Sequence, residues 1–195
     1  MAILIGLILA LFIFNRIQSN ESSATLIPVS KAVMKTISPE AGLGEDAKNI
    51  YEKLMADADE EDRLVYEFNK EHAANVQVQE IDNTDNEITL EITAPNLKKI
   101  IETILAENKD VLKEYSDSQA KSNFLKKKII EAVKSGEFET ITNTVKVQYR
   151  NDENGDLEII ETDEYLNAIY GGLQEMYMEY SSKIEDMLTN EMDGD

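Results

Sequence analysis

Apolar positions along this chain recur with two different periods, and the switch between them marks out the elements. From Glu45 the spacing is helical: Ala47, Ile50, Tyr51, Leu54 and Met55 fall three and four apart, the signature of one apolar helix face. The acidic run Asp57 to Asp62 interrupts it and reads as a solvated turn plus the acidic first turn of the next helix, where the helix dipole favours negative charge. Leu64, Val65, Phe68 and His72 continue along one face of that second helix. The period then drops to two. Val76 and Val78 share one strand face and Ile81 falls on the other, which predicts a bulge or register change there. After the turn cluster Asp82 to Asn86, Ile88, Leu90 and Ile92 alternate with Thr89, Glu91 and Thr93, the cleanest strand in the chain.

Helical spacing returns after Pro95, which suits a first helical turn. Leu97, Ile100, Ile101, Ile104 and Leu105 form a stripe, and Val111, Leu112 and Tyr115 extend it past a break near Asn108. A further helix carries Phe124, Leu125, Ile129, Ile130 and Val133 and stops at Gly136. A second strand pair, residues 141–149 and 157–160, flanks Asn154-Gly155, a pair suited to the positive φ of a tight hairpin. From Asp163 onward Leu166, Ile169, Tyr170, Leu173, Met176, Tyr177, Tyr180, Ile184 and Met187 predict one long helix, with Asn190 to Asp195 as a fraying tail. Gly171-Gly172 inside it costs about 1 kcal/mol per glycine, so a close packing contact or a kink is expected there.

This order predicts an α+β fold in which two antiparallel pairs join into one curved sheet with helices on its concave face. Residues 25–44, punctuated by Pro28, Pro39, Gly42 and Gly44, read as a connector containing a short helix from Lys31 to Ile37; residues 45–190 read as a single domain and 191–195 as its tail.

The chain start differs from everything after it. Ala2 to Phe14 contains no polar residue, the mark of a signal peptide or membrane anchor within residues 1–24. As a helix this run reaches about 20 Å at 1.5 Å per residue, short of a hydrocarbon core of roughly 30 Å. Only the α-amino group precedes it and Arg16, Lys31 and Lys35 follow, which favours N-out; upstream Lys or Arg on a longer start would reconcile the flanks. Ser22-Ser23-Ala24 offers small residues for cleavage before Thr25. The expected location is extracytoplasmic, membrane-anchored or secreted.

Composition removes several classes of function. With 39 Asp and Glu against 19 Lys and Arg, the net charge of −20 opposes nucleic-acid binding. No cysteine means no disulfide, thiolate nucleophile, thiolate zinc site or lipidated cysteine, and one histidine excludes a site needing two imidazoles. His72 is a candidate general base, with Glu67 and Glu71 near it in sequence, although a structural histidine at a helix end is the simpler reading. Asp163, Glu164, Tyr149 and Tyr165 are the set from which a proton-transfer site could be built, and a helix cap with its acidic first turn is the simpler reading of the two acids. The oxygen-rich stretches Asp82 to Glu87 and Asn151 to Asp156 lack the spacing of a calcium loop and read as hairpin turns. Lys126-Lys127-Lys128, the one basic run, reads as a solvated helix face. Tyr170, Met176, Tyr177, Met178, Tyr180 and Met187 are more than one buried stripe requires, so either core packing or a face toward a partner or second copy is expected.

Three segments carry a resemblance. Glu87 to Ile101 (EITLEITAPNLKKII), Val145 to Ile160 (VKVQYRNDENGDLEII) and Asp163 to Glu175 (DEYLNAIYGGLQE) resemble a group of uncharacterised envelope proteins of Gram-positive bacteria, lipoprotein-like, over residues 45–180. The resemblance implies export and a cone-shaped nuclear-transport-factor-2-like, or cystatin-like, domain, and brings no catalytic residues. The chain departs from that pattern in having no lipobox cysteine, which leaves an uncleaved helix or release, and in having Leu157 where a Trp commonly follows the hairpin turn.

The reading is an extracytoplasmic, non-enzymatic binding or interaction module at the bacterial cell envelope, without catalytic, cofactor-binding or metal-ligating residues. Its expected partners are a small ligand or an envelope protein, the membrane through residues 2–14, and a second copy in a homo-oligomer; nucleic acid is excluded. The alternatives are a structural subunit of a conjugation- or secretion-type envelope assembly, and a small isomerase or dehydratase of the nuclear-transport-factor-2 type.

Overall fold

The computed structural model describes residues 29–84, 87–151, 157–179 and 181. Ala2 to Phe14, the cleavage motif before Thr25, the Asn154-Gly155 turn, Tyr180 and Met187 lie outside them. In chain order come α1 (Val29–Ile37), a 3₁₀ turn (Pro39–Gly42), α2 (Glu45–Asp57), α3 (Glu60–Ala74), β1 (Gln77–Thr84) and β2 (Glu87–Pro95). Then follow α4 (Leu97–Glu107), α5 (Lys109–Glu114), α6 (Ser118–Ser135), β3 (Thr140–Asn151), β4 (Leu157–Ile159) and α7 (Asp163–Ile169). A further helical stretch, α8, occupies residues 173–179.

The strands form one antiparallel sheet in the order β1-β2-β3-β4, so the two predicted pairs join through β2 and β3. Strict alternation decides which side is buried. Ile88, Leu90, Ile92 and Ala94 of β2 and Val145 and Val147 of β3 point into the core, while Thr93 and Thr142 share a 2.8 Å hydroxyl hydrogen bond on the open face. One covered and one solvated face is the ordinary economy of an antiparallel sheet. The predicted irregularity falls where expected: the β1–β2 register shifts between Glu80 and Asp82, leaving Ile81 unpaired and outside the core.

Local side chains set the helix ends. Asp59 accepts from Asp62 N at 3.0 Å to start α3, so the acidic run is the turn and first turn anticipated. Asp117 accepts from Gln119 N and Ala120 N to start α6, and Gly136, at φ 72°, ends it. Pro95 does not begin a helix. It closes β2 opposite Thr140, and Asn96 caps α4 instead, accepting from Lys99 N at 3.1 Å.

The core departs from the helical stripes in two places. Part of the expected connector is core: α1 buries Ala32, Val33 and Ile37 and touches α3, β1 and β4. Conversely α2, expected to bury an apolar face, buries none of its residues, and Ile50 and Leu54 are each 60 % exposed. The predicted long C-terminal helix is broken. Tyr170 ends α7, Gly171 and Gly172 take φ 53° and 85°, and α8 begins at residue 173. The expected close contact is there too, since a Cβ on Gly171 would stand 1.8 Å from the Pro95 carbonyl oxygen. Among the described residues no helix is long and apolar enough to cross a membrane.

Candidate functional site

His72 lies on the face of α3 shared with Leu64, Val65 and Phe68, at helical spacings, and is completely buried. Its ring is sandwiched between Phe68 (centroids 5.4 Å apart, planes 7° apart) and Tyr170 (5.5 Å, 9°). Nε2 stands 2.7 Å from the Ile169 carbonyl oxygen. A carbonyl only accepts, so Nε2 carries the proton and donates it, which leaves Nδ1 as the bare lone pair. Among the described residues Nδ1 has no hydrogen-bond partner. Burial lowers the imidazole pKa to about 4, only partly opposed by the Ile169 hydrogen bond, so the ring is neutral across the physiological range.

The chemistry of this arrangement is that of a strut. His72 ties α3 to the end of α7, with its lone pair buried. The acids near it in sequence turn elsewhere: Glu67 and Glu71 face Lys134 of α6 at 3.9 and 3.8 Å. The second candidate set does not converge either. Thr162 caps α7 by accepting from Tyr165 N, and Asp163 accepts from Gln174 Nε2 at 3.2 Å. Tyr165 is buried and donates to Thr36 Oγ1 at 3.1 Å, while Tyr149 is half-buried opposite Ile159 on β3. Burial first, and then the Glu161 charge, raise the pKa of Tyr170; burial raises that of Tyr165 as well. Both phenols therefore stay protonated.

The lysine run is not a solvated face throughout. Lys126 is completely buried, its Nζ 3.1 Å from Glu61 Oε1 at the start of α3. Lys127 reaches Glu60 at 2.7 Å and Lys128 reaches Glu131 at 2.6 Å. Asn123 and Gln119 add hydrogen bonds to Glu60 and Glu61, so Lys126, Lys127 and these two residues fasten α6 to the start of α3, while Lys128 pairs within α6.

In the first oxygen-rich stretch Asp82, Asn83 and Thr84 are strand and not the turn expected there: past the register shift at Ile81 the ladder runs on, pairing them with Thr89, Ile88 and Glu87, and Thr84 Oγ1 donates to the Glu87 carbonyl. Asp85, Asn86 and residues 152–156 lie outside the described residues. Among the described residues no group of three His, Asp or Glu side chains is placed to hold a metal ion. The C-terminal aromatic and methionine residues divide. Tyr170 and Met176 are core, whereas Met178 is well exposed and Tyr177 partly so.

One polar cluster had no signal in the sequence. Glu40, in the 3₁₀ turn, is buried and accepts from the Tyr66 hydroxyl at 2.7 Å. Burial and that hydrogen bond push the Tyr66 phenol up to about 12. Tyr51 of α2 meets the Tyr66 ring edge-on at 5.6 Å, and Glu52 of α2 pairs with Lys70 of α3 at 3.0 Å. These contacts fix α2 to α3 by one side. Ile50 and Leu54, one turn apart, lie beside this contact at the edge of the same apolar stripe and face out.

No protein-family model matches this chain, and no curated protein matches it closely. Among solved structures it is similar to the Bacillus subtilis protein described as "a putative lipoprotein (ycdA)", at 10 % identity and a TM-score of 0.34. The similar region covers 73 % of this chain and 44 % of that one, so less than half of that protein is matched. A likeness this remote carries neither family nor function across to this chain.

Proposed function

We propose that this chain is a non-enzymatic binding module on the outer side of a bacterial cell membrane, brought there by the apolar run Ala2 to Phe14. The observation that carries the binding reading is α2, whose apolar stripe is half-buried at Ala47, Tyr51 and Met55 but stands in water at Ile50 and Leu54. Large aliphatic side chains exposed together on one helix mark an interaction surface more than a core. His72, Tyr165 and Asp163 each have a partner that ties elements together: the Ile169 carbonyl, Thr36 and Gln174. A four-stranded antiparallel sheet with one helix-covered face is compatible with a cone of nuclear-transport-factor-2 type.

The test is fractionation and intact mass of the chain expressed in a Gram-positive host, with protease added outside protoplasts. The reading predicts a body digested from outside, either membrane-bound at full mass or released with its start near Thr25. A full-mass membrane form would favour the assembly-subunit reading of the same module. A full-mass species protected in the cytosol would overturn the location.

A further inference from the structure

The geometry points to a basic amphipathic helix of another protein as the occupant of the outer face of α2. This rests on the binding-module reading and assigns it a face and a partner chemistry. Ile50 and Leu54 lie one turn apart and are each 60 % exposed, while Tyr51 and Glu52 of the same helix engage Tyr66 and Lys70 of α3. The outward strip therefore requires an apolar stripe from its occupant, and a helix laid alongside presents one at matching three- and four-residue intervals.

Charge chooses among occupants. Residues 45–62 carry eight acidic and two basic residues, with Asp46 and Asp57 on the same side of the α2 helix as Ile50. Glu60 and Glu61 are neutralised by Lys127 and Lys126, but among the described residues Glu45, Asp46, Asp57 and Asp59 have no such lysine. A second copy would bring another chain of net charge −20 and another acidic α2 against the first. An anionic lipid surface would meet the same repulsion. Lysines or arginines flanking an apolar stripe satisfy both the aliphatic strip and its acidic border.

The experiment uses the full chain in nanodiscs of zwitterionic lipid, carrying Leu54→photo-leucine, and a synthetic amphipathic peptide of leucines and lysines. A peptide of the same pattern with glutamates in place of the lysines is the control. The proposal predicts saturable crosslinking to the basic peptide alone, weakened by added salt and weakened about tenfold or more by Ile50→Ser. Crosslinks mainly to a second copy, to lipid, to residues 2–14 of the same chain or to nothing would overturn it. Binding of the basic peptide that ignores Ile50→Ser would also overturn it, while leaving the binding-module reading standing. A cytosolic chain would overturn the location and leave this docking face as it is.

Discussion

Acid should unfasten this protein at His72, and the size of the effect follows from the burial of that one ring. The imidazole is neutral and enclosed, with a folded-state pKa of about 4, against about 6.5 once the chain unfolds and the ring meets water. Protons therefore bind the unfolded state more readily than the folded one between these values. The stabilisation is present in full above pH about 6.5 and is lost as pH falls toward about 4. It amounts to about 3 kcal/mol in all, of which about 2 kcal/mol disappears between pH about 7.5 and pH about 5. Acidification also reaches the carboxylates, relieving the repulsion of a chain at −20 while loosening pairs such as Lys127–Glu60, whose carboxyl the lysine holds below its ordinary pKa. The comparison is therefore made against His72→Phe, which keeps a ring between Phe68 and Tyr170 and cannot titrate. That variant leaves the Ile169 carbonyl without its donor and loses about 1–3 kcal/mol, but equally at every pH. Urea unfolding at the two pH values should show wild type losing about 2 kcal/mol more than the variant on acidification. Because His72 is the sole histidine, its ring signals in an NMR titration are unambiguous and should not move near pH about 6.5. Parallel pH dependence in the two proteins, or a ring titrating at its ordinary value in the folded state, would refute the reasoning.

Two further pairs of substitutions probe other fastenings. Gly171→Ala places a Cβ 1.8 Å from the Pro95 carbonyl oxygen at a φ of 53°, so backbone must move and about 3 kcal/mol or more of stability should go. Gly172→Ala meets only the Lys98 Cβ at 3.3 Å and should lose about 1–2 kcal/mol; equal losses in urea unfolding would deny the close approach. Lys126→Ala removes a wholly buried stem and uncouples Glu61, for about 2–4 kcal/mol, whereas Lys127→Ala breaks an exposed pair and should cost about 0.5 kcal/mol or less. Similar values for the two lysines would mean that Lys126 is not buried.

The strands were legible because alternation encodes both an element and its buried side: Ile88, Leu90 and Ile92 face the core, and even the bulge at Ile81 was readable from a single residue out of phase. Helix ends were legible where a cap or a glycine stood, as at Asp59 and Gly136. Helix environment was not. The spacing of Ala47, Ile50, Tyr51, Leu54 and Met55 states that a face is apolar and is silent on what it meets, so α2 reads as core although Ile50 and Leu54 are outside and the rest of the stripe is only half-buried. The converse happened at α1, where proline and glycine punctuation suggested a connector while Ala32, Val33 and Ile37 fill the core. Three adjacent lysines point three ways around a helix, and nothing local tells which one meets Glu61. Glu40 and Tyr66 are 26 residues apart, and their contact exists only once the 3₁₀ turn folds back on α3.

The proposed binding role rests on Ile50 and Leu54 of α2 standing at the surface and outside the core. The most direct test is urea unfolding of the double variant Ile50→Ser, Leu54→Ser beside Phe68→Ala. The account predicts a double variant within about 1 kcal/mol of wild type, since both side chains are already 60 % exposed. Phe68, buried in the core, should lose about 3–5 kcal/mol as alanine. A double variant that loses as much as Phe68→Ala would show that Ile50 and Leu54 hold the fold together, and would contradict the central claim.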